Sequence, residues 1–380
     1  MKVLFVAGAS AATLFALTPL AQALRGAGHE VILASTQEMV PVAERLAVPF
    51  VAVTDRTLAS LLSTDRAGEP VPRPVTMAEQ RRFAGTWFAR LAAFSINSLL
   101  ELSRSWRPDL VVGGTSSYAA GLVAAHLGIP QVRQAWDTLA TGEVVDRHAD
   151  EELAPELAPL GLTALPRPDL FLDICPPSLR APDEDGIPSR TMRWIPGNSQ
   201  RQLEPWMLTR PVRPRVCVTS GSRVAVTENQ EFLRRLTRRL SDLDVEIVVP
   251  APEEVAPELR AAFPGIRAGW VPLDVLAPTC SVIVHHGGGV TALTALHAGV
   301  PQLVLPSFEL FEESWTRLAK SGAGTVLMPA EQSDDRVAEA CRELLTGTAY
   351  RERAGELAGE IHSLPVPAEL VSALEELASR

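Results

Sequence analysis

Short, almost uniformly apolar runs recur along the chain, separated by longer stretches whose apolar positions follow a helical period. Such runs are typical of buried parallel strands, and the stretches between them of helices that cover both faces of a sheet. The predicted strands are Val3–Ala7, Val31–Ala34, Leu110–Gly113 and Pro130–Arg133 in the first half, and Arg215–Thr219, Val245–Val249, Ser281–Val284 and Gln302–Leu305 in the second. This alternation predicts an α/β chain with two doubly wound parallel sheets.

The N-terminal segment has two interpretations. Lys2, the apolar stretch Val3–Leu24 and the small residues Ala21–Ala23 also form the pattern of a secretory signal peptide. The alternative is a strand, a helix over about Thr13–Ala27 and a second strand over Glu30–Ala34. We favour strand–helix–strand, because cleavage would separate the second apolar run from its partner.

A seven-residue pattern occurs once in each half. HLGIPQV at 126–132 matches HAGVPQL at 297–303, and each copy predicts a helix that ends at glycine and a strand that starts after proline. Joints of this kind are common in α/β proteins, so the repeat indicates architecture and not activity. Residues 176–214 carry many prolines without periodicity, which is typical of a linker. We predict domains over 1–195 and 215–364, a linker over 196–214, and a C-terminal helix within 365–380 that packs back on the first domain.

Composition narrows the function classes. The 380 residues, 46% of them hydrophobic, suffice for two cores. The net charge of −10 argues against nucleic acid or an anionic membrane as a partner. The cysteines are scattered, without CxxC or ligand spacing, which disfavours a disulfide framework or metal site and fits a cytoplasmic protein.

Three glycines follow the predicted strand Ser281–Val284, within the sequence HHGGGVTALTALHAGVP. A strand that turns through glycines into a helix exposes free N–H groups and the positive end of the helix dipole. That arrangement is an anion site, usually for phosphate, to which His286 can add a donor. No Gly-x-Gly-x-x-Gly follows the first strand, which disfavours a dinucleotide-dependent oxidoreductase, and no Walker motif is present either.

The glycine turn resembles the pyrophosphate site of GT-B-fold glycosyltransferases, and the whole chain resembles those that glycosylate bacterial natural products. It looks most similar to the urdamycin-type C-glycosyltransferases, which join a deoxysugar to an angucycline polyketide. The resemblance implies two Rossmann-like domains facing a cleft, with the acceptor on the first and the nucleotide sugar on the second. The stretches that carry it include 16–21, 106–110, 133–137, 173–180, 203–207, 219–224 and 270–280.

The resemblance also assigns donor-binding residues. The indole of Trp270 would stack on the pyrimidine while the Val271 backbone pairs with its edge. The alternative is that Trp270 is a tryptophan of the hydrophobic core. The turn after Arg215–Thr219 would help hold the diphosphate, with Arg223 either contacting it or lying solvated at the surface. The predicted donor-binding residues are Ser220, Gly221, Ser222, Arg223, Trp270, Val271, His286, Gly287, Gly288, Gly289, Val290, Thr291 and Glu312.

One departure from the family concerns the sugar. Many relatives carry an Asp-Gln pair after the strand at 302–306 that binds sugar hydroxyls, whereas this chain has Leu310 and Phe311 there, followed by Glu312. Apolar replacements suit a sugar that lacks hydroxyls. We therefore expect a dTDP-deoxyhexose donor, with Glu312 on a remaining hydroxyl.

A second departure concerns the catalytic base. O-transferring relatives usually place histidines in the first strand–helix loop, whereas this chain has Ala11 and Thr13 there and no histidine in residues 1–28. The resemblance then implies Asp137, which follows a strand beside Trp136, as the base. Partial burial would raise its pKa and improve it as a base. A helix cap or an ion pair with Arg133 is the alternative role.

The chemistry implied is an inverting displacement without metal. Asp137 takes the proton of an acceptor phenol, the adjacent ring carbon attacks the anomeric carbon, and the glycine turn stabilises the departing diphosphate. The predicted acceptor contacts are Ser10, Phe83, Trp87 and Trp136. The alternative for the three aromatic residues is a place in the hydrophobic core. The acidic triplets 183–185 and 242–244 are expected to be solvated. O-transfer, nucleotide-sugar epimerisation and a non-enzymatic nucleotide-sugar-binding regulator remain alternatives, and a homodimer stays open.

Overall fold

The computed structural model describes residues 1–138, 143–181, 186–199, 201–221, 227–310 and 312–380. The chain divides into two compact units. The first contains Met1–Ile174, Pro182–Arg193 and Leu364–Arg380, and the second contains Cys175–Ala181 and Trp194–Ser363. The C-terminal residues therefore belong to the first unit.

The first unit is built on a parallel sheet of seven strands within the described residues. Its strands are β1 Lys2–Val6, β2 Glu30–Thr36, β3 Phe50–Thr54, β4 Leu110–Gly114, β5 Gln131–Gln134, β6 Leu170–Asp173 and β7 Ser189–Thr191. Its helices are α1 Ala11–Gly26, α2 Val40–Ala43, α3 Leu58–Ser63, α4 Met77–Ser105, α5 Tyr118–Leu127, α6 Glu143–Glu152 and α7 Ala154–Leu157, and it also contains α15 Val371–Ala378.

The second unit repeats this plan with six parallel strands in its described part. They are β8 Arg215–Thr219, β9 Glu246–Pro250, β10 Arg267–Gly269, β11 Val282–His285, β12 Gln302–Val304 and β13 Gly324–Val326. The helices are α8 Thr227–Leu240, α9 Ala256–Ala262, α10 Leu273–Leu276, α11 Gly289–His297, α12 Glu312–Ser321, α13 Asp334–Thr346 and α14 Thr348–Ser363.

Both sheets have the strand order of a doubly wound fold. The order is β3-β2-β1-β4-β5-β6-β7 in the first unit and β10-β9-β8-β11-β12-β13 in the second. The winding reverses between β1 and β4, and again between β8 and β11. Open sheets of this kind bind ligands beyond the carboxyl ends of the strands at that reversal. The turns after β1, β4, β8 and β11 are therefore where sites are expected.

All eight predicted strands are present, and their ends lie within two residues of the predicted ones. The N-terminal segment is strand–helix–strand, and β1 pairs with β2 and β4 in the first sheet. The prediction missed β3, β6, β7, β10 and β13. Within the proline-rich stretch 176–214, Ser189–Thr191 forms a strand that pairs with β6.

The repeated heptapeptide has the same conformation in both units. Gly128 follows α5 with φ 65° and Gly299 lies just beyond α11 with φ 66°, the left-handed conformation that glycine adopts most easily. In each copy a strand, β5 or β12, begins directly after the proline. The repeat is thus a helix-to-strand joint, as predicted.

Central strands are buried on both faces, which is why they were readable as apolar runs. All residues of β4, β8 and β11 are buried. The cysteines of the chain are free thiols inside the protein. Among the described residues, no helix is both long enough and apolar enough to traverse a bilayer.

Candidate functional site

The glycine turn lies at the carboxyl end of β11, beside the reversal point of the second sheet. Gly287 adopts φ +87°, Gly288 is the N-cap, and α11 begins at Gly289. The first N–H groups of a helix have no partner one turn earlier, and they carry the positive end of its dipole. The structure thus places the predicted residues Gly288–Thr291 at the start of a nine-residue helix, directly after Gly287.

His286, between strand and glycines, is half-buried and lies against a second turn. A Cβ built on Gly221 would lie 2.8 Å from His286 Cε1, and one built on Gly288 would lie 3.0 Å from the same atom. Gly221 has φ +65° and follows the buried Ser220 at the end of β8. The turns after β8 and β11 therefore meet at the His286 imidazole, as expected for one shared site. Ser222 and Arg223 lie outside the described residues.

His285 is fully buried, and the sequence assigned it no role. Its Nδ1 accepts a hydrogen bond from the Gly287 N–H at 3.2 Å, and its Nε2 lies 2.9 Å from Gln302 Oε1. The Trp315 ring approaches it edge-on, with 6.4 Å between centroids. Burial lowers the pKa of His285 to about 4, so the ring is neutral near pH 7. The signal available in the sequence was a histidine in the last position of a buried strand.

The predicted base-binding corner follows β10. Trp270 is half-buried, and its indole N–H donates to the Ser199 carbonyl at 3.4 Å. Its backbone N–H donates to Glu253 at 3.2 Å, and its carbonyl accepts from Arg201 at 3.0 Å. Val271 packs in the core of the unit. The corner is therefore held at both backbone and indole, and Trp270 is not fully enclosed as a core tryptophan would be.

Glu312 is the first residue of α12 and is exposed. Leu310, two residues earlier, is half-buried, whereas Phe311 lies outside the described residues. An exposed carboxylate at this point can accept hydrogen bonds from a ligand. The structure does not link Glu312 to the glycine turn through any described hydrogen bond.

In the first unit, the predicted residues lie beyond the carboxyl ends of β1 and β5. Ser10 is the N-cap of α1, and Asp137 is half-buried three residues after β5. Trp136 lies over Gly114 at the end of β4, where an added Cβ would overlap its Cζ3 and Cε3 atoms. These residues therefore surround the reversal point of the first sheet.

An aromatic group joins two of the predicted acceptor contacts. Trp87 stacks on Phe88 with 3.6 Å between centroids, and Phe88 lies 5.7 Å from Trp136. Trp87 is only 6% exposed and belongs to a core cluster on which Phe83 also packs. Its burial favours the core role for Trp87. Phe88, the next residue in the sequence, belongs to this aromatic group and was not among the predicted residues.

Arg133, the alternative partner of Asp137, makes a described ion pair with another residue. Its Nη1 lies 2.9 Å from Asp146 Oδ2, and the Tyr118 hydroxyl donates to Asp146 Oδ1 at 2.9 Å. Burial, followed by the charge of Asp146, raises the pKa of Tyr118 well above its usual value. This network ties α6 to α5 and β5.

The acidic triplets do not form a described metal site. No three His, Cys, Asp or Glu side chains converge as a ligand set in the portion of the chain that is described. Asp244 is exposed and lies 3.6 Å from Arg213. Residues 183–185 lie outside the described ranges.

Two Rossmann-like parallel sheets, the second with a glycine turn at a helix start, define the GT-B class of glycosyltransferase folds. Two domain families match the chain: "Erythromycin biosynthesis protein CIII-like, N-terminal domain" over residues 22–221, and the corresponding C-terminal domain over 234–377. The chain belongs to the EryCIII-like family of antibiotic-biosynthesis glycosyltransferases.

Individual relatives cover nearly the whole chain. It is 34% identical to the L-demethylnoviosyl transferase of Streptomyces niveus, over 98% of this chain and 97% of that protein. It is 32% identical to the elloramycin glycosyltransferase ElmGT of Streptomyces olivaceus, over 98% and 97%. The solved structure of the glycosyltransferase SsfS6 from Streptomyces sp. SF2575, complexed with thymidine diphosphate, matches with TM-score 0.87 and 35% identity over 99% of both chains. The predicted fold and glycosyltransferase class are confirmed.

Proposed function

We propose that this protein is an inverting glycosyltransferase that transfers a deoxyhexose from a dTDP-sugar to an aromatic polyketide acceptor, forming a carbon–carbon bond. The proposed binding of the nucleotide-sugar donor rests on the observation that the turns after β8 and β11 meet at His286. A helix N-terminus with an adjacent imidazole stabilises the negative charge that builds up on a departing diphosphate. Metal-independence is part of the proposal.

The nucleotide is proposed to lie between this turn and the Trp270 corner. The second unit supplies both features. The SsfS6 relative was solved with thymidine diphosphate, which supports a thymidine nucleotide here. Several relatives carry deoxysugar names, such as the aclacinomycin-T 2-deoxy-L-fucose transferase of Streptomyces galilaeus. Leu310 in place of a polar residue supports the same donor class.

The proposed acceptor site lies in the first unit, around Asp137 and Trp136. The region where O-transferring relatives have histidines offers no base, because the Thr13 hydroxyl donates to the carbonyls of Gly8 at 3.0 Å and Ser10 at 2.7 Å. Asp137 is a half-buried carboxylate at the same end of the sheet. Proton removal from a phenol by Asp137 makes the neighbouring ring carbon nucleophilic, which is the basis for proposing C-transfer. That carbon bonds to the anomeric carbon while the bond from the anomeric carbon to the diphosphate breaks, and it then loses its own proton as the ring becomes aromatic again.

The direct test is to incubate the protein with dTDP-deoxysugars and aromatic polyketide aglycones and to follow the products by mass spectrometry. A product mass increased by one deoxyhexose supports transfer, and turnover of donor alone would indicate an epimerase. Hydrolysis in hot acid then separates the linkages, because a C-glycoside survives and an O-glycoside does not. Binding of dTDP without any transfer would favour the regulator.

Asp137→Asn tests the base, with Asp55→Asn as the matched control. Asp55 is an exposed carboxylate of the same unit, so its change should leave turnover unaffected. General-base loss typically lowers kcat by about 10²–10⁴-fold, and dTDP affinity should not change. Wild-type kcat in Asp137→Asn would overturn the assignment.

A further inference from the structure

Two adjacent histidines follow one another at the end of β11, and their environments are opposite. His286 is half-buried and lies against the glycines of both turns. His285 has no exposed surface and points into the unit, toward Gln302 on β12. The two rings therefore cannot have the same task in a diphosphate site.

The contacts of His285 fix where its proton lies. The Gly287 N–H is a donor, so the Nδ1 atom that it approaches at 3.2 Å must be the unprotonated one. In a neutral imidazole the proton then lies on Nε2, where it can be donated to Gln302 Oε1 at 2.9 Å. The opposite tautomer, or the cation, would set two N–H groups against each other.

Two further features restrict position 287 to glycine. Its φ of +87° belongs to the left-handed region, and an added Cβ would lie 3.2 Å from Trp315 Cζ2. Because the Gly287 N–H is directed inward to His285, the amides that remain for a ligand are those of Gly288 and the first turn of α11. The His285 imidazole thus determines which backbone N–H groups of the glycine turn are available to a ligand.

We propose that His285, held as its Nε2–H tautomer by Gln302, is a positioning residue that orients the glycine turn for the donor diphosphate without touching it. The inference rests on the proposed donor site and adds a residue pair to it. The pair acts through the Gly287 amide, so its loss should weaken diphosphate binding more than it alters the chemical step.

The experiment measures dTDP binding by isothermal titration calorimetry, without acceptor or sugar transfer. His285→Leu removes the acceptor for Gly287, and we expect about tenfold weaker dTDP binding, the usual scale for an unpaired buried donor. In His285→Asn the amide oxygen can take the place of Nδ1, and we expect binding within about threefold of wild type. Val284→Ala, on the adjacent buried position, is the control for general loss of stability. It should lower the melting temperature and leave the dTDP dissociation constant unchanged.

The outcomes distinguish failure of the proposed donor site from failure of the positioning role of His285. A wild-type protein that does not bind dTDP would overturn the proposed donor site. A wild type that binds, with His285→Leu binding equally well, would overturn the positioning role alone, as would equal weakening in Val284→Ala. If His285→Leu does not fold, Gln302→Leu decides: about threefold or greater weakening supports the pair, and unchanged affinity contradicts it.

Discussion

The indole of Trp136 lies directly over Gly114, in the space that a side chain at position 114 would occupy. Gly114→Ala must therefore displace the indole or bend the end of β4. Overpacking of this kind typically costs about 1–3 kcal/mol in the free energy of unfolding. We also expect the KM for the aglycone to rise, because Trp136 adjoins Asp137. Urea unfolding and steady-state kinetics measure the two effects.

Gly26→Ala is the matched control for that change. Gly26 ends α1 in the same unit, is exposed, and has nothing within 4 Å of an added Cβ. Its substitution should leave stability unchanged or raise it by up to about 1 kcal/mol. Equal stability of Gly114→Ala and Gly26→Ala would show that the Trp136 indole does not require the space that glycine leaves at position 114.

Arg215, in the second unit, is a buried arginine that is 1% exposed. Its guanidinium donates to Glu246 at 3.0 Å and to the carbonyls of Thr209 and Trp206, each at 3.1 Å. Arg215→Met leaves the two carbonyls without this donor and leaves Glu246 with Arg267 at 2.8 Å as its remaining arginine partner. We expect a loss of about 3 kcal/mol in the free energy of unfolding. Chemical denaturation followed by far-UV circular dichroism measures it.

Arg213→Met provides the comparison, since this arginine pairs with Asp244 at 3.6 Å on the surface. Exposed pairs of this type contribute little, because water and salt screen them. The two variants should differ clearly in their urea midpoints. Similar midpoints would mean that the Arg215 contacts are offset by the cost of burying its charge.

The central strands could be predicted because burial on both faces leaves a continuous apolar run, as in Arg215–Thr219, which was predicted with its observed bounds. The short outer strands could not. Ser189–Thr191 has mostly exposed polar residues, and Arg267–Gly269 ends in a glycine. Such strands exist because a neighbouring strand offers hydrogen-bond partners, and their own side chains carry no corresponding pattern.

The site divides in the same way. The glycine turn is a contiguous segment, so its geometry at the start of α11 followed from local rules. The group formed by Trp87, Phe88 and Trp136 joins residues almost 50 positions apart, and sequence gives only their types. His285 was visible as a residue, but its role depends on Gln302 across the strand pair, which only the fold brings within 2.9 Å.

Gly288→Ala should weaken donor binding with little effect on stability. An added Cβ would lie 3.0 Å from Cε1 and 3.1 Å from Nε2 of His286, so the imidazole must shift. We expect the dTDP dissociation constant to rise about tenfold, or 1.4 kcal/mol. Gly355→Ala in α14, with nothing within 4 Å, is the control, and titration calorimetry gives both values. Unchanged affinity in Gly288→Ala would argue against a ligand at the turn.

His285 makes the protein sensitive to acid. Burial lowers its pKa from 6.5 to about 4, so the unfolded chain binds a proton that the folded chain excludes between these values. The stability due to the neutral ring is complete above pH 6.5 and is lost as the pH falls toward 4, by up to about 3 kcal/mol. Urea unfolding of wild type and His285→Asn across this range isolates the effect, because carboxylates titrate in both. The wild type should lose about 2–3 kcal/mol more than the variant, whereas parallel curves would show that His285 is protonated in the folded protein.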